Sequence, residues 1–258
     1  MGDNILLLDK LIAMLCKDRG EKPPKLSDPD KFSYFRALVN VRPPMPACQE
    51  FLTAQNKLLQ AELKKKGITD ISSLSPIRKD IYLWRGDITT LKCDAIVNAA
   101  NSGMLGCFYP NHGCIDNAIH TFAGVQLRYE CAEIMKKQRH AEPEGNAKIT
   151  NAYNLPCKYV IHTVGPVVYG EVTEKQEKVL SECYRSCLSL ADDKGLRSLA
   201  FCCISTGEFR FPNRRAAEIA VGTVQNYKET TSSEIKVIFN VFKEVDYDIY
   251  AGLLGRDR

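Results

Sequence analysis

The apolar positions of the first 66 residues repeat at helical spacing; those after residue 80 do not. Leu7, Leu8, Leu11, Ile12 and Leu15 share one face of a 3.6-residue period, and Gly20 marks its end. Residues 32–41 predict a second helix, stopped by Arg42-Pro43-Pro44 because a residue preceding proline is pushed out of the α region. Residues 49–66 predict a third, with Phe51, Leu52, Leu58, Leu59 and Leu63 apolar and Gly67 just past its end. Ser72-Ser73-Leu74-Ser75-Pro76 then reads as a linker. Beyond it, β-rich runs at 81–84, 95–97, 147–153, 159–164, 199–204 and 236–242 alternate with amphipathic stretches at 116–138, 173–194 and 212–229. That alternation predicts a layered α/β domain with a mostly parallel sheet. The chain divides into a helical extension, 1–78, and an α/β domain, 79–258. Sheets of this kind bind ligands outside the carboxyl ends of their strands.

Composition narrows the partner classes. Of 258 residues 45% are hydrophobic and 26% charged, enough apolar surface for a core. Lys+Arg 35 against Asp+Glu 31 leaves +4, and the basic runs are as short as Lys64-Lys65-Lys66 and Arg214-Arg215, so no nucleic-acid partner is expected. No apolar run reaches bilayer length, and Ile5-Leu6-Leu7-Leu8 lacks the flanks of a secretory signal, so an intracellular, cytoplasmic protein without a membrane partner is expected. Eleven cysteines, an odd number, argue against a disulfide framework there.

Three polar, glycine-bearing loops follow predicted strands: Arg85-Gly86-Asp87-Ile88-Thr89, Asn98-Ala99-Ala100-Asn101-Ser102-Gly103 and Ser205-Thr206-Gly207. Small residues there let backbone N–H groups face an anion, which is how a pyrophosphate is held without many cations. A Walker A lysine pattern and a GxGxxG fingerprint are both missing, which weakens kinase, NTPase and dehydrogenase readings. Taken singly, each loop also reads as an ordinary turn.

A further segment carries Cys107, His112 and Cys114 in a C-x4-H-x-C spacing. An extended His112-Gly113-Cys114 would put both side chains on one face, and Pro110-Asn111 can turn Cys107 back toward them. Two thiolates and an imidazole suit zinc, and three ligands leave a coordination position open. Buried thiols beside a loop histidine are the other reading of the same spacing.

In order, GDIT, DAIVNAAN, GCIDNAIHTFAG, IHTVGP, STGEFRFP and FNVFKEVDYDIY make residues 79–258 resemble the macrodomain family. The resemblance implies a three-layer α/β/α fold with a mixed, mostly parallel sheet that binds ADP-ribose over its strand ends. Asp87 would hold the adenine amino group with help from the Ile88 backbone, and Phe242 would stack on adenine. Ser205, Thr206, Gly207, Glu208 and Phe209 would line the pyrophosphate. Asn101 would contact the distal ribose, with Phe211 nearby.

Where family hydrolases carry a run of glycines, this chain has the cysteine–histidine segment. That segment and the helical extension resemble the zinc-dependent branch, in which one zinc ion lies beside the distal ribose and is needed for hydrolysis. The implied activity is removal of mono-ADP-ribose from Asp or Glu side chains of modified proteins, with Asn101 orienting the sugar and Asp116 positioning water. Non-catalytic reading of ADP-ribose, deacetylation of O-acetyl-ADP-ribose and dephosphorylation of ADP-ribose phosphate are the alternatives. Asp116 also reads as a helix cap. His120 is expected to be packed or hydrogen-bonded, His162 to support the site from a strand and His140 to lie on the surface. Arg210 either gates the distal ribose or extends into solvent.

Overall fold

The structure, a computed structural model, describes residues 2–255. Three helices open the chain: α1 (Gly2–Asp18), α2 (Asp28–Val41) and α3 (Gln49–Lys66). Leu11, Leu15, Phe35, Leu38, Phe51 and Leu58 bury their apolar faces in one cluster, which takes in Val125 of the following domain. Through Val125 and the contact of α2 with α4, the extension is packed onto the α/β domain.

The α/β domain is built on a six-stranded sheet. Its strands are β2 (Ile81–Arg85), β4 (Ala95–Ala100), β5 (Ala147–Asn151), β6 (Tyr159–Val164), β7 (Ser198–Phe201) and β8 (Lys236–Val241). Their order is β2-β8-β7-β4-β6-β5, parallel throughout except that β5 runs antiparallel at one edge. A second, two-stranded sheet joins β1 (Thr69–Asp70) to β3 (Leu91–Lys92). The helices α4 (Ile115–Ala123) and α5 (Val125–Gln138) pack near β4 and β5, and α2 packs on α4. The others, α6 (Glu174–Asp193), α7 (Asn213–Thr231) and α8 (Glu244–Leu254), pack in sequence against one another. This is the expected mixed, mostly parallel α/β/α architecture with an N-terminal helical part.

Local differences have local causes. The helix predicted over 116–138 is two helices, because Gly124 takes φ +100, a value that ends α4 and starts α5. Ala or any larger residue there would also press on the Gln55 amide, 2.5 Å from an added Cβ. The strand predicted over 199–204 ends at Phe201, and the next residues belong to the site. The linker at 72–76 is partly ordered: residues 71–73 form a 3-10 turn capped by Asp70. The helix α8 and the β1–β3 pair are not foreshadowed by the hydrophobic pattern. Among the described residues, no helix is long and apolar enough to cross a membrane.

Candidate active site

Because β2, β8, β7, β4 and β6 are parallel neighbours, the segments leaving their carboxyl ends meet along one edge of the sheet. Across the strands, that edge carries Asp87 after β2, Phe242 after β8, residues 205–211 after β7 and Asn101 after β4. The predicted site residues therefore follow one another in space as adenine, pyrophosphate and distal ribose do along ADP-ribose.

At the β2 end Asp87 caps a 3-10 turn, its Oδ1 accepting from the Thr89 N–H at 3.0 Å. Its Oδ2 accepts from Nζ of Lys66, the last residue of α3, at 2.8 Å. Burial pushes the Asp87 carboxyl up, but Lys66 and Thr89 outweigh it and hold the group below its ordinary value. Among the described residues the Ile88 N–H has no backbone or side-chain acceptor. Phe242 is 77% exposed, leaving its face open for stacking. The Lys66 ammonium also sits 3.3 Å from the centre of the Phe122 ring, so the extension reaches this end of the site.

The β7 loop turns on Ser205, a non-glycine residue at φ +64. Its buried Oγ has no hydrogen-bond partner among the described residues, and Gly165 leaves room for it, since an added Cβ would stand 2.1 Å away. The backbone N–H groups of Gly207, Glu208 and Phe209 likewise find no protein acceptor there. Such a row of free donors at a strand end is suited to a pyrophosphate. Phe211 is 1% exposed and supports the loop from beneath; it offers no open face to a ribose. The Glu208 side chain turns away toward His112, and Arg210 is exposed at φ +59.

Beyond β4, Cys107, His112 and Cys114 come together, with ligand atoms all within 4.8 Å of one another. Cys107 Sγ and His112 Nδ1 are 3.6 Å apart. Tetrahedral zinc, with Zn–S about 2.3 Å and Zn–N about 2.0 Å, separates its ligands by roughly 3.5–3.8 Å, so the donor set and spacing fit that ion. His112 Nε2, the far ring nitrogen, lies 3.4 Å from Glu208 Oε1, a placement that fixes the ring of a metal-ligating histidine. Cys114 is the N-cap of α4, its Sγ accepting from the Asn117 N–H at 3.4 Å. Burial pushes the metal-free Cys114 thiol up to about 12, against the opposing pull of that N–H. Zinc binding there would displace the thiol proton.

Asp116 follows inside α4 rather than capping it. It is 5% exposed, with Oδ1 accepting from Asn98 Nδ2 at 2.8 Å and Oδ2 from Asn101 Nδ2 at 3.3 Å. Burial raises its carboxyl to about 6, while Asn98, Arg128 and Asn101 hold it from rising further. Asn98, on β4, joins Asp116 to His162 Nδ1 at 3.1 Å. No motif singles Asn98 out for this, although an asparagine inside an otherwise apolar strand is itself a signal. His120 Nε2 lies 3.5 Å from Asp116 Oδ1, yet neither ring nitrogen makes an aligned hydrogen bond; the ring packs where Gly106 leaves space. His140 is exposed.

His120, Cys131 and His162 form a second, fully buried group with metal-ligating atoms close together. Here the hydrogen bonds argue against a metal. His162 Nδ1 faces the Asn98 amide donor and so accepts; Nε2 then carries the proton and donates to Thr150 Oγ1 at 2.9 Å. Both His162 nitrogens are thus already taken up by side chains of the fold.

These buried histidines set an acid limit. Burial depresses His162 to about 3 and His120 well below its ordinary value. Between about pH 4 and 6 the unfolded chain therefore binds two more protons at these sites, while Asp116 binds one more in the folded state. At these three groups the unfolded chain holds a net excess of one proton, which costs about 1.4 kcal/mol of stability per unit as pH falls through this window, and carboxylates held low in the folded state, among them Asp87 and Asp94, add to the loss. Thermal unfolding from pH 6.5 to 4.5, with chelator present, should show at least that slope. His162→Gln should flatten it, and an unchanged slope in this variant would refute the assignment.

An α/β/α fold whose parallel strands end in a loop of unpaired N–H groups and a buried Asn–Asp pair has the layout of a ligand-binding domain. The Macro domain family model matches residues 97–220. The chain is 52% identical over 255 residues to the protein-ADP-ribose hydrolase of Treponema medium, covering 97% of both chains. It is 52% identical over 230 residues to that of Staphylococcus aureus (strain MRSA252), covering 88% of this chain and 86% of the other. Among solved structures, the Trypanosoma brucei macrodomain in complex with ADP-ribose is 34% identical, with a TM-score of 0.65 over 85% of this chain and 95% of that one. The chain belongs to the macrodomain family.

Proposed function

We propose that this protein hydrolyses the ester joining the distal ribose of ADP-ribose to an Asp or Glu side chain of a modified protein, using zinc held by Cys107, His112 and Cys114. The observation that carries this reading is the convergence of those three side chains in the segment after β4, whose neighbour Gly106 accepts from Asn101 Nδ2 at 3.2 Å. The names of the curated relatives support hydrolysis of a protein–ADP-ribose linkage.

Asp87 and the exposed Phe242 face anchor the adenine, and the free N–H groups of the β7 loop hold the pyrophosphate. Binding energy gathered there fixes the ribose, where bonds change. The Asn101 amide, braced by Asp116 Oδ2 and by the Gly106 carbonyl at 3.2 Å, orients the sugar. Cys107, His112 and Cys114 would hold zinc, which would supply Lewis acidity and positive charge to the reaction. Water adds one hydroxyl and one proton across the ester, giving free ADP-ribose and the restored carboxyl group, which ionises. Asp116, ionised above about pH 6, accepts a hydrogen bond or proton from the attacking water.

The wild-type protein should release ADP-ribose from an Asp/Glu-mono-ADP-ribosylated substrate, hold one zinc per chain, and lose turnover to a chelator with recovery on zinc addition. Chelator-insensitive turnover would move the chemistry to Asn101 and Asp116 alone. ADP-ribose binding without turnover would make the domain a reader.

A further inference from the structure

The segment 107–114 has little structure of its own. Among the described residues its one internal backbone bond runs from His112 N to Tyr109 O, at 3.2 Å, and Asn111 turns the chain at φ +55. What shapes it comes from outside, chiefly from the polar face of α2. Ser33, Arg36 and Asn40, at i, i+3 and i+7, line one side of that helix. Arg36 Nη2 donates to the His112 carbonyl at 2.8 Å and to Asn117 Oδ1 at 2.7 Å, and Nε adds a third bond to the same Asn117 oxygen at 3.2 Å. Asn117 in turn donates from Nδ2 to Tyr109 O at 2.9 Å. Asn40 Oδ1 accepts from Asn111 N at 2.9 Å, and Ser33 Oγ accepts from Asn111 Nδ2 at 3.1 Å.

We propose that α2 is the outer mould of the metal-binding segment, and that Arg36 is the positioning residue that sets His112 and, through Asn117, the turn between Cys107 and Cys114. This rests on the proposed zinc site. The helical extension then forms part of the active site although none of its residues touches the reacting atoms. A planar guanidinium suits this role because it bonds a backbone carbonyl and an amide oxygen together, with the fork geometry that a lysine ammonium lacks. The residue it grips, Asn117, also supplies the backbone N–H that Cys114 accepts.

Loss of a group that orients a metal ligand typically costs 10–100-fold in metal affinity or activity, and Arg36→Ala is expected to weaken zinc by about that factor. Zinc affinity is read by competition with a chromophoric chelator, alongside ADP-ribose affinity by calorimetry and kcat and KM on the esterified protein. Arg36→Ala should lower zinc affinity and kcat, leaving ADP-ribose affinity and KM within about twofold, and Arg36→Lys should fall between it and wild type. Lys31→Ala is the control for a loosened helix, since Lys31 ties α2 to Asp9 of α1 at 2.8 Å and pairs within α2 with Asp28 at 2.9 Å, away from the segment. It should lower the melting temperature with zinc affinity intact. Wild-type affinity for zinc in Arg36→Ala, or an equal zinc loss in Lys31→Ala, would overturn the assignment and leave the proposed zinc site standing. A wild-type protein that binds no zinc would overturn both.

Discussion

Cys114→Ser should reduce hydrolysis of the esterified substrate by about a thousandfold or more, with ADP-ribose binding unchanged within about twofold. Loss of a metal that stabilises developing charge is worth several kcal/mol, and about 4 kcal/mol corresponds to that factor. This position separates metal loss from misfolding better than Cys107 does. Cys114 is the N-cap of α4, and its Sγ accepts the Asn117 N–H. Serine is among the best N-caps, so the helix, Asp116 within it and the Asn101 contact are all expected to survive. A serine hydroxyl is nevertheless a poor zinc ligand beside a thiolate. Zinc content should fall well below one per chain, and the calorimetric signal for ADP-ribose should persist because Asp87, Phe242 and the 205–209 loop lie along the other strands. Near wild-type turnover by a zinc-free Cys114→Ser protein would remove the metal from the mechanism.

The parts of the site that were legible in the sequence are those held by short-range order. Parallel strands put their loops at a common edge, so Asp87, Asn101 and Ser205 could be placed once the strands were found. The C-x4-H-x-C spacing likewise made the meeting of Cys107, His112 and Cys114 legible through a turn at Pro110-Asn111, although the contacts from α2 that hold this turn were not. Long-range partners were not legible. Arg36 and Asn117 are 81 residues apart, and Lys66 meets Asp87 across 21, with no periodicity linking them. Gly124 was visible as a residue, but its φ of +100 was not, nor was the approach of Gln55 on α3 that fills the space a side chain would need. Glu208 read as a pyrophosphate neighbour by position; its carboxylate turns to His112, while its backbone N–H has no protein acceptor among the described residues. Phe211 read as a ribose neighbour; its ring, two residues before α7, is buried in the main core cluster.

Arg128→Met should destabilise the protein by about 3–5 kcal/mol, because several buried carbonyls lose a charged donor at about 1–3 kcal/mol each. Arg128 is 5% exposed on α5 and remains protonated at neutral pH, although burial lowers its pKa to about 10. Its Nη1 donates to the carbonyls of Val39, Asn40 and Arg42, at 3.1, 2.7 and 2.7 Å, where α2 ends and intrahelical partners run out. Its Nε donates to Leu105 O at 2.7 Å and its Nη2 to Cys107 O at 3.4 Å, and the guanidinium lies 4.2 Å from the Phe108 ring centre. One side chain thus ties the end of α2 to the start of the metal-binding segment. Methionine fills much of the same volume, so the cost comes from the carbonyls left without donors rather than from a cavity. For a chain of this length each kcal/mol moves the melting temperature by about 2–4 °C, giving a fall of roughly 6–20 °C. Arg215→Met sets the scale for an exposed arginine: its pairs with Glu177 and Glu218 lie at the surface, where such contacts contribute about 0–1 kcal/mol. Equal melting temperatures for the two variants would mean that the α2–α5 junction carries no more stability than a surface ion pair. A large fall confined to Arg128→Met, with faster amide exchange at residues 105–112, would identify this junction as the support on which both the extension and the metal-binding segment depend.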